Sequence, residues 1–341
     1  MRESRRSVPI TATLAVIAGA FVQAASINGA GATFPYPIYS KWFAEYNRLR
    51  PDVRINYQSQ GSGAGIQQLL ARTVFFGASD APMTDEQLRA AQGRILHVPT
   101  VLGAVVPIYN VPGVRADLKF TGQVLADIYL GRITTWNDPA LARLNAGVSL
   151  PAADITVVHR SDGSGTTYIW ADYLAKVSPE WKSKVGVGTS LRWPAGIGGK
   201  GNEGVSGLVA QTPGSIGYVE LIYALQTKIA YGPVQNQAGE FVKASLDSVT
   251  AAASSAAARM PADFRVSITN APGKGVYPIS SFTWLLLYQD PIDKASARAM
   301  VEFMQWALRD GQRFAAGLGY APLPPEVVKL ELAALRTIRT S

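Results

Sequence analysis

Three times in this chain a run of strand length ends in a loop of glycine and hydroxyl residues, and a helical pattern follows. The first is Ile27-Asn28-Gly29-Ala30-Gly31 with Ala32-Thr33-Phe34-Pro35, after which Ile38, Trp42, Phe43 and Tyr46 share one apolar face. The second is Val53 to Tyr57, then Gly61-Ser62-Gly63-Ala64-Gly65, then Ile66 to Leu70. In the third, Ile155 to Val158 leads into Arg160-Ser161-Asp162-Gly163-Ser164-Gly165-Thr166, and Tyr168 to Leu174 resumes at helical spacing. Parallel neighbouring strands need a crossover, and a helix is the usual one. Repeated strand–loop–helix units therefore predict an α/β chain with a mostly parallel, doubly wound sheet. Its loops should gather at the carboxyl ends of the strands.

The rest of the chain fills in around these units. Phe75-Phe76-Gly77-Ala78-Ser79-Asp80 reads as another short strand with a polar end. Ile95 to Asn110 is nearly all apolar, broken by Pro99, Gly103 and Pro107, and is long enough to leave one domain and enter another. Thr121 to Tyr129 reads as a capped amphipathic helix, Gly196 to Gly204 as a glycine-rich loop, and Ile216 to Val219 as a buried strand. Ala251 to Ala258 belongs to a helix, Ser281 to Tyr288 to a late strand, and helices follow at about 294–309 and 325–336. A chain of 341 residues suits two domains of ordinary size.

Composition removes several kinds of chemistry. With no cysteine there are no disulfides, thiolate metal sites or thiol nucleophiles. The only imidazoles, His97 and His159, lie far apart in sequence and read as packed or surface histidines. The net charge is +8, but the basic residues are scattered, so no nucleic-acid patch is indicated. Residues 1–24 read as a signal peptide: Arg2, Arg5 and Arg6 precede an apolar stretch from Val8 to Phe21, and Val22-Gln23-Ala24 suits cleavage after Ala24. That apolar stretch is too short to span a membrane well. The expected mature protein is soluble and exported, by the general or the twin-arginine route.

The loops carry the candidate chemistry. Arg160 to Thr166 offers free helix-start N–H groups, the hydroxyls of Ser164 and Thr166, and the Arg160 fork, a set matched to an anion. Alone, it reads equally as a capped structural turn with an Arg–Asp pair. Three such loops, two before the apolar crossover and one after, suggest half-sites facing each other across a cleft. Asp80 is the odd member, because an ionised carboxylate only accepts hydrogen bonds. It suits a ligand that still carries a proton, such as HPO4(2−), and repels sulfate. The plainer alternative has Asp80 helping to cap a helix or turn at Thr84. Gly196-Ile197-Gly198-Gly199-Lys200-Gly201 matches G-x-G-x-x-G, but follows Arg192-Trp193-Pro194-Ala195 and not a strand, so the dinucleotide reading fails its context. His159, Asp162 and Ser164 supply the residue types of a hydrolytic triad on a single turn, whereas triad members converge from separate elements.

Read together, Gly29-Ala30-Gly31-Ala32-Thr33-Phe34-Pro35, Gly61-Ser62, Phe76-Gly77-Ala78-Ser79-Asp80-Ala81-Pro82 and Asp162-Gly163-Ser164-Gly165-Thr166 resemble the PstS family. These are periplasmic phosphate-binding proteins of the high-affinity phosphate ABC importer. Asp127-Ile128-Tyr129-Leu130-Gly131, Gly198-Gly199-Lys200-Gly201-Asn202 and Gly217-Tyr218-Val219-Glu220 extend the likeness over nearly all of the mature chain. The resemblance implies a type II periplasmic-binding-protein fold, with domain I from residues 25–108 plus 277–341 and domain II inserted as 109–276. Two crossing segments would form the hinge. It further implies a monomeric, non-enzymatic carrier without cofactor or metal, whose partners are inorganic phosphate and the importer's membrane subunits. Its phosphate ligands would be Thr33, Phe34, Ser62, Asp80, Arg160, Ser164, Gly165 and Thr166, with Asp162 bracing Arg160. Phe34 and Gly165 would give backbone N–H groups, and Asp80 would accept the phosphate proton. His159 stands where relatives often carry a basic residue. The competing readings are a carrier of another tetrahedral oxyanion such as sulfate, and a phosphate-ester hydrolase.

Overall fold

The computed structural model describes residues 25–257 and 260–341, so the leader segment 1–24 and Ala258 lie outside the described residues. The first half of the chain runs β1 (Ala25–Gly31), α1 (Tyr36–Leu49), β2 (Val53–Ser59), α2 (Ser62–Leu70), β3 (Phe76–Ser79), α3 (Asp85–Ala90) and β4 (Ile95–Asn110). Then come α4 (Gly122–Tyr129), α5 (Pro139–Leu144), β5 (Thr156–Arg160), α6 (Gly165–Val177), α7 (Pro179–Lys184), β6 (Ile197–Gly199), α8 (Gly201–Gln211), β7 (Ser215–Glu220) and α9 (Leu221–Thr227). Three two-residue strands follow, β8 (Ala230–Tyr231), β9 (Val234–Gln235) and β10 (Phe241–Val242). The chain closes with α10 (Leu246–Ala257), β11 (Ser280–Tyr288), α11 (Lys294–Arg309) and α12 (Pro325–Leu335).

One sheet carries the order β2-β1-β3-β11-β4-β7-β5-β6, with β8 attached to β4. Its wings are parallel, β1 with β2 and β3, and β5 with β6 and β7. Its centre is antiparallel, β11 with β3 and β4, and β4 with β7. The sheet is thus mixed, and the mostly parallel expectation holds only in the wings. The reason lies in β4, a 16-residue strand that serves both wings. From Ile95 to Ala104 it pairs with β11, and from Val105 to Asn110 with β7. Its side chains are buried on both faces from Leu96 to Tyr109, which is why the run reads as continuously apolar. Pro99 has no N–H to give the ladder, and beside it the β4–β11 register shifts between Thr283 and Trp284.

Helices cover both wings. On α1, Ile38, Trp42, Phe43 and Tyr46 are buried, and Phe43 packs its ring 5.3 Å from that of Phe303 on α11. Thr121 caps α4 by accepting from the Val124 N–H. The stretch Gly196 to Gly204 is not a loop. Its centre is β6, paired with β5, and its end is the first turn of α8, so the glycines are strand and helix-start residues. A Cβ on Gly199 would lie 2.8 Å from the backbone of Gly204 and Val205, and this close approach is what the glycines permit. Among the described residues no helix is long and apolar enough to cross a membrane.

Candidate functional site

The loops after β1, β2, β3 and β5 meet at one buried place. Thr33, Phe34, Ser62, Asp80, Arg160, Ser164 and Thr166 are each at most 3% exposed. Contacts between the loops are direct. The Gly63 N–H donates to the Gly163 carbonyl at 2.8 Å. A Cβ at Gly165 would lie 2.4 Å from Ser62 Oγ and 2.6 Å from Asp80 Oδ2, so the start of α6 sits directly against both. Gly61 has φ +103°, and a Cβ there would lie 2.3 Å from Asp162 Oδ2. Both the backbone and the space demand glycine at that position.

Arg160 ends β5, and its guanidinium is fixed on three sides. Nε donates to Asp162 Oδ1 at 2.8 Å, Nη2 to Asp162 Oδ2 at 2.6 Å, and Nη1 to Thr166 Oγ1 at 3.2 Å. Burial works to raise the Asp162 carboxyl, but the Arg160 hydrogen bonds and charge and the Gly201 N–H outweigh it and hold it below the usual range. Ser164 is the N-cap of α6, its Oγ accepting from the Thr167 N–H at 2.9 Å. The N–H groups of Gly165 and Thr166 precede any carbonyl that an α-helix could offer them, so they are free to face an anion.

Asp80 sits opposite. Its N–H donates to Ser62 Oγ at 3.1 Å, and its Oδ1 accepts from the Thr283 hydroxyl at 2.7 Å. Burial pushes its carboxyl up to about 7, against the pull of Thr283, the Arg160 charge and Ser62. It does not cap the helix at Thr84: Thr84 caps α3 itself, with Gln87 closing a capping box. His97 and His159 are packed residues. His97 Nε2 accepts from the Met83 N–H, and burial pushes its ring down to about 4. His159 stacks on Trp193 with centroids 4.7 Å apart. Among the described residues no group of three His, Asp or Glu is placed to hold a metal.

Three residues at the site escape the sequence reading. Thr283 holds Asp80, and its one signal is being a polar residue inside the buried strand β11. The Tyr223 hydroxyl donates to the Thr33 carbonyl at 2.6 Å, with no signal in the sequence. Asn202 bonds Thr33 and Thr166 together, and it ends one of the glycine-rich motifs that carry the family resemblance.

This fold, with its strand-end loops closing on a buried, donor-rich point, defines the class: the model of the PBP superfamily domain matches residues 18–310. The phosphate-binding protein PstS of Pasteurella multocida is 48% identical over 316 residues, 92% of this chain and 91% of that protein. Its namesake in Xylella fastidiosa is 49% identical over 305 residues, 89% and 83% of the two chains. The chain belongs to the PstS family of phosphate-binding proteins. Among solved structures, a high affinity periplasmic phosphate-binding protein (PfluDING) bound with phosphate superposes with a TM-score of 0.73. At 23% identity, over 91% of this chain and 93% of that one, it bears on the fold alone.

Proposed function

We propose that this chain captures inorganic phosphate between its two halves and delivers it to the membrane subunits of an ABC importer. The observation that carries the reading is the convergence of four loops on one buried point. That point combines an arginine held by its own carboxylate, helix-start N–H groups, several hydroxyls and one facing carboxylate. Thr33, Phe34, Ser62, Asp80, Arg160, Ser164, Gly165 and Thr166 would hold the phosphate. Arg160 and the donors compensate the buried charge, since each oxygen gains several hydrogen bonds. Asp162 keeps the guanidinium turned to the ligand.

In this reading residues 25–108 and 277–341 form one domain and 109–276 the other. β4 and the chain entering β11 are the two crossings of the hinge. Phosphate bridges the domains, so its contacts are complete only on closure, and binding shifts the open–closed equilibrium. The protein captures and releases its ligand unchanged, acting as a monomer and without cofactor. The leader 1–24 directs it to the periplasm and is removed. Calorimetric titration of the purified protein tests the reading. Phosphate is expected to bind at least about 100-fold more tightly than sulfate; equal affinities would sink the phosphate assignment.

A further inference from the structure

Asn202 lies in the first turn of α8, fully buried, and its side chain spans the site. Its Oδ1 accepts from the Glu220 N–H at 3.0 Å. A backbone N–H can only donate, so the amide must turn its oxygen that way and its Nδ2 the other. That Nδ2 donates to Thr33 Oγ1 at 2.7 Å and to Thr166 Oγ1 at 3.2 Å, and the Asn202 N–H donates to Thr33 Oγ1 as well, at 3.2 Å. Thr166 Oγ1 also receives Nη1 of Arg160 at 3.2 Å.

Each threonine hydroxyl therefore accepts two hydrogen bonds from groups that only donate. A hydroxyl has two lone pairs and one proton. With both lone pairs engaged, what it retains is the proton, and neither of its partners can take that proton. We infer that Asn202 is the positioning residue that makes Thr33 and Thr166, one from each half of the site, obligatory donors to the bound anion. Without it each hydroxyl could rotate, accept from a neighbouring donor and present its oxygen to the phosphate. The inference rests on the phosphate reading and deepens it. Affinity for the anion comes partly from a neutral amide that does not touch the ligand.

Calorimetric titration with inorganic phosphate tests this on four proteins: wild type, Asn202→Ala, the double variant Thr33→Val with Thr166→Val, and the triple variant. Asn202→Ala is expected to weaken phosphate binding about 10-fold in the wild-type background, and less than about 2-fold once both hydroxyls are gone. Asn202→Asp, nearly identical in shape, reverses the amide's role and draws both protons toward itself. It is expected to cost about 100-fold or more. An equal cost of Asn202→Ala in both backgrounds would mean that the residue acts through packing, and would overturn the inference. So would tight binding by Asn202→Asp. Melting of the ligand-free variants shows whether they fold. If they do not, neutron diffraction from the phosphate-bound wild type decides, with both hydroxyl O–H bonds expected to point at phosphate oxygens and any other direction fatal. Failure of wild type to bind phosphate would sink the function itself; binding with an additive cycle sinks this inference alone.

Discussion

Asp80 combines two properties that pull against each other. Its carboxyl is 1% exposed and close to an arginine, yet burial dominates and moves it up to about 7. A carboxyl in that range is ionised or protonated according to its ligand. In the proposed site, the ionised form would accept the proton of HPO4(2−). Facing sulfate, which brings none, Asp80 must first take a proton from solvent. Sulfate binding by wild type is therefore expected to weaken as pH rises from about 5 to 8, by up to about tenfold per unit once the free carboxyl is ionised. Asp80→Asn carries its own donor and has nothing to titrate, so its sulfate affinity should stay level over that range. Parallel pH profiles for the two proteins would remove Asp80 from the discrimination. Thr283 belongs to the same argument, because its hydroxyl holds Oδ1 and so leaves Oδ2 as the atom toward Gly165.

Among the elements, the start of α6 leaves little room for change. Gly165 follows the Ser164 cap, and a Cβ there would meet Ser62 Oγ at 2.4 Å and Asp80 Cβ at 2.6 Å. The hydroxyl can rotate away, whereas Asp80 Cβ moves only with its backbone. Gly165→Ala therefore strains the arrangement in which the loops touch, by about 1–3 kcal/mol, and leaves each half of the chain as it was. On the proposal that phosphate bridges the loops, its affinity should fall about 10- to 100-fold while the ligand-free melting temperature changes little. Calorimetry paired with melting checks this, and an unchanged affinity would show that the helix start does not close on the ligand. The same element shows what was legible beforehand. A strand, a glycine turn with a Ser cap and an amphipathic helix are local patterns, and β5 and α6 follow the sequence closely. So do α1, α4 and α11, whose apolar spacing is also local. What the chain did not disclose is long-range. The antiparallel centre depends on β11 returning between β3 and β4, far along the chain from both. Thr283 and Tyr223 reach the site only through that folding, and nothing near them in sequence announces a role. The strand in Gly196 to Gly204 was hidden for another reason, since three residues rich in glycine lack the side-chain alternation by which strands are recognised.

At the scale of the whole molecule, the sheet itself suggests how the two proposed domains are coupled. β4 pairs with β11 as far as Ala104 and with β7 from Val105, and the Val105 N–H donates to the Ile279 carbonyl at 2.9 Å where the chain returns. Backbone pairing is thus continuous through the crossing, and the Tyr277 hydroxyl holds the Val105 carbonyl from the second segment at 2.9 Å. Such a crossing can bend about one line but resists sliding. Away from it, the site loops join the halves through Gly63 to Gly163 and Asn202 and Tyr223 to Thr33, while Arg265 donates to Met83 and Asp85, and Trp284 to the Phe264 carbonyl. Without a ligand, closure would bring Asp162, Asp80 and a buried arginine together with several free donors and no anion to receive them, so the open form should be favoured. In the proposed cycle phosphate would reverse this by supplying acceptors to both sides at once. Small-angle scattering by phosphate-free protein should give a radius of gyration above the roughly 20 Å expected of a compact chain this long, falling toward it on titration. Phosphate at about 100 times its dissociation constant should also add about 2.7 kcal/mol of stability, visible as a rise in melting temperature. Scattering that does not change, together with that thermal shift, would mean that phosphate enters a site already closed, and the hinge would then have no part in capture.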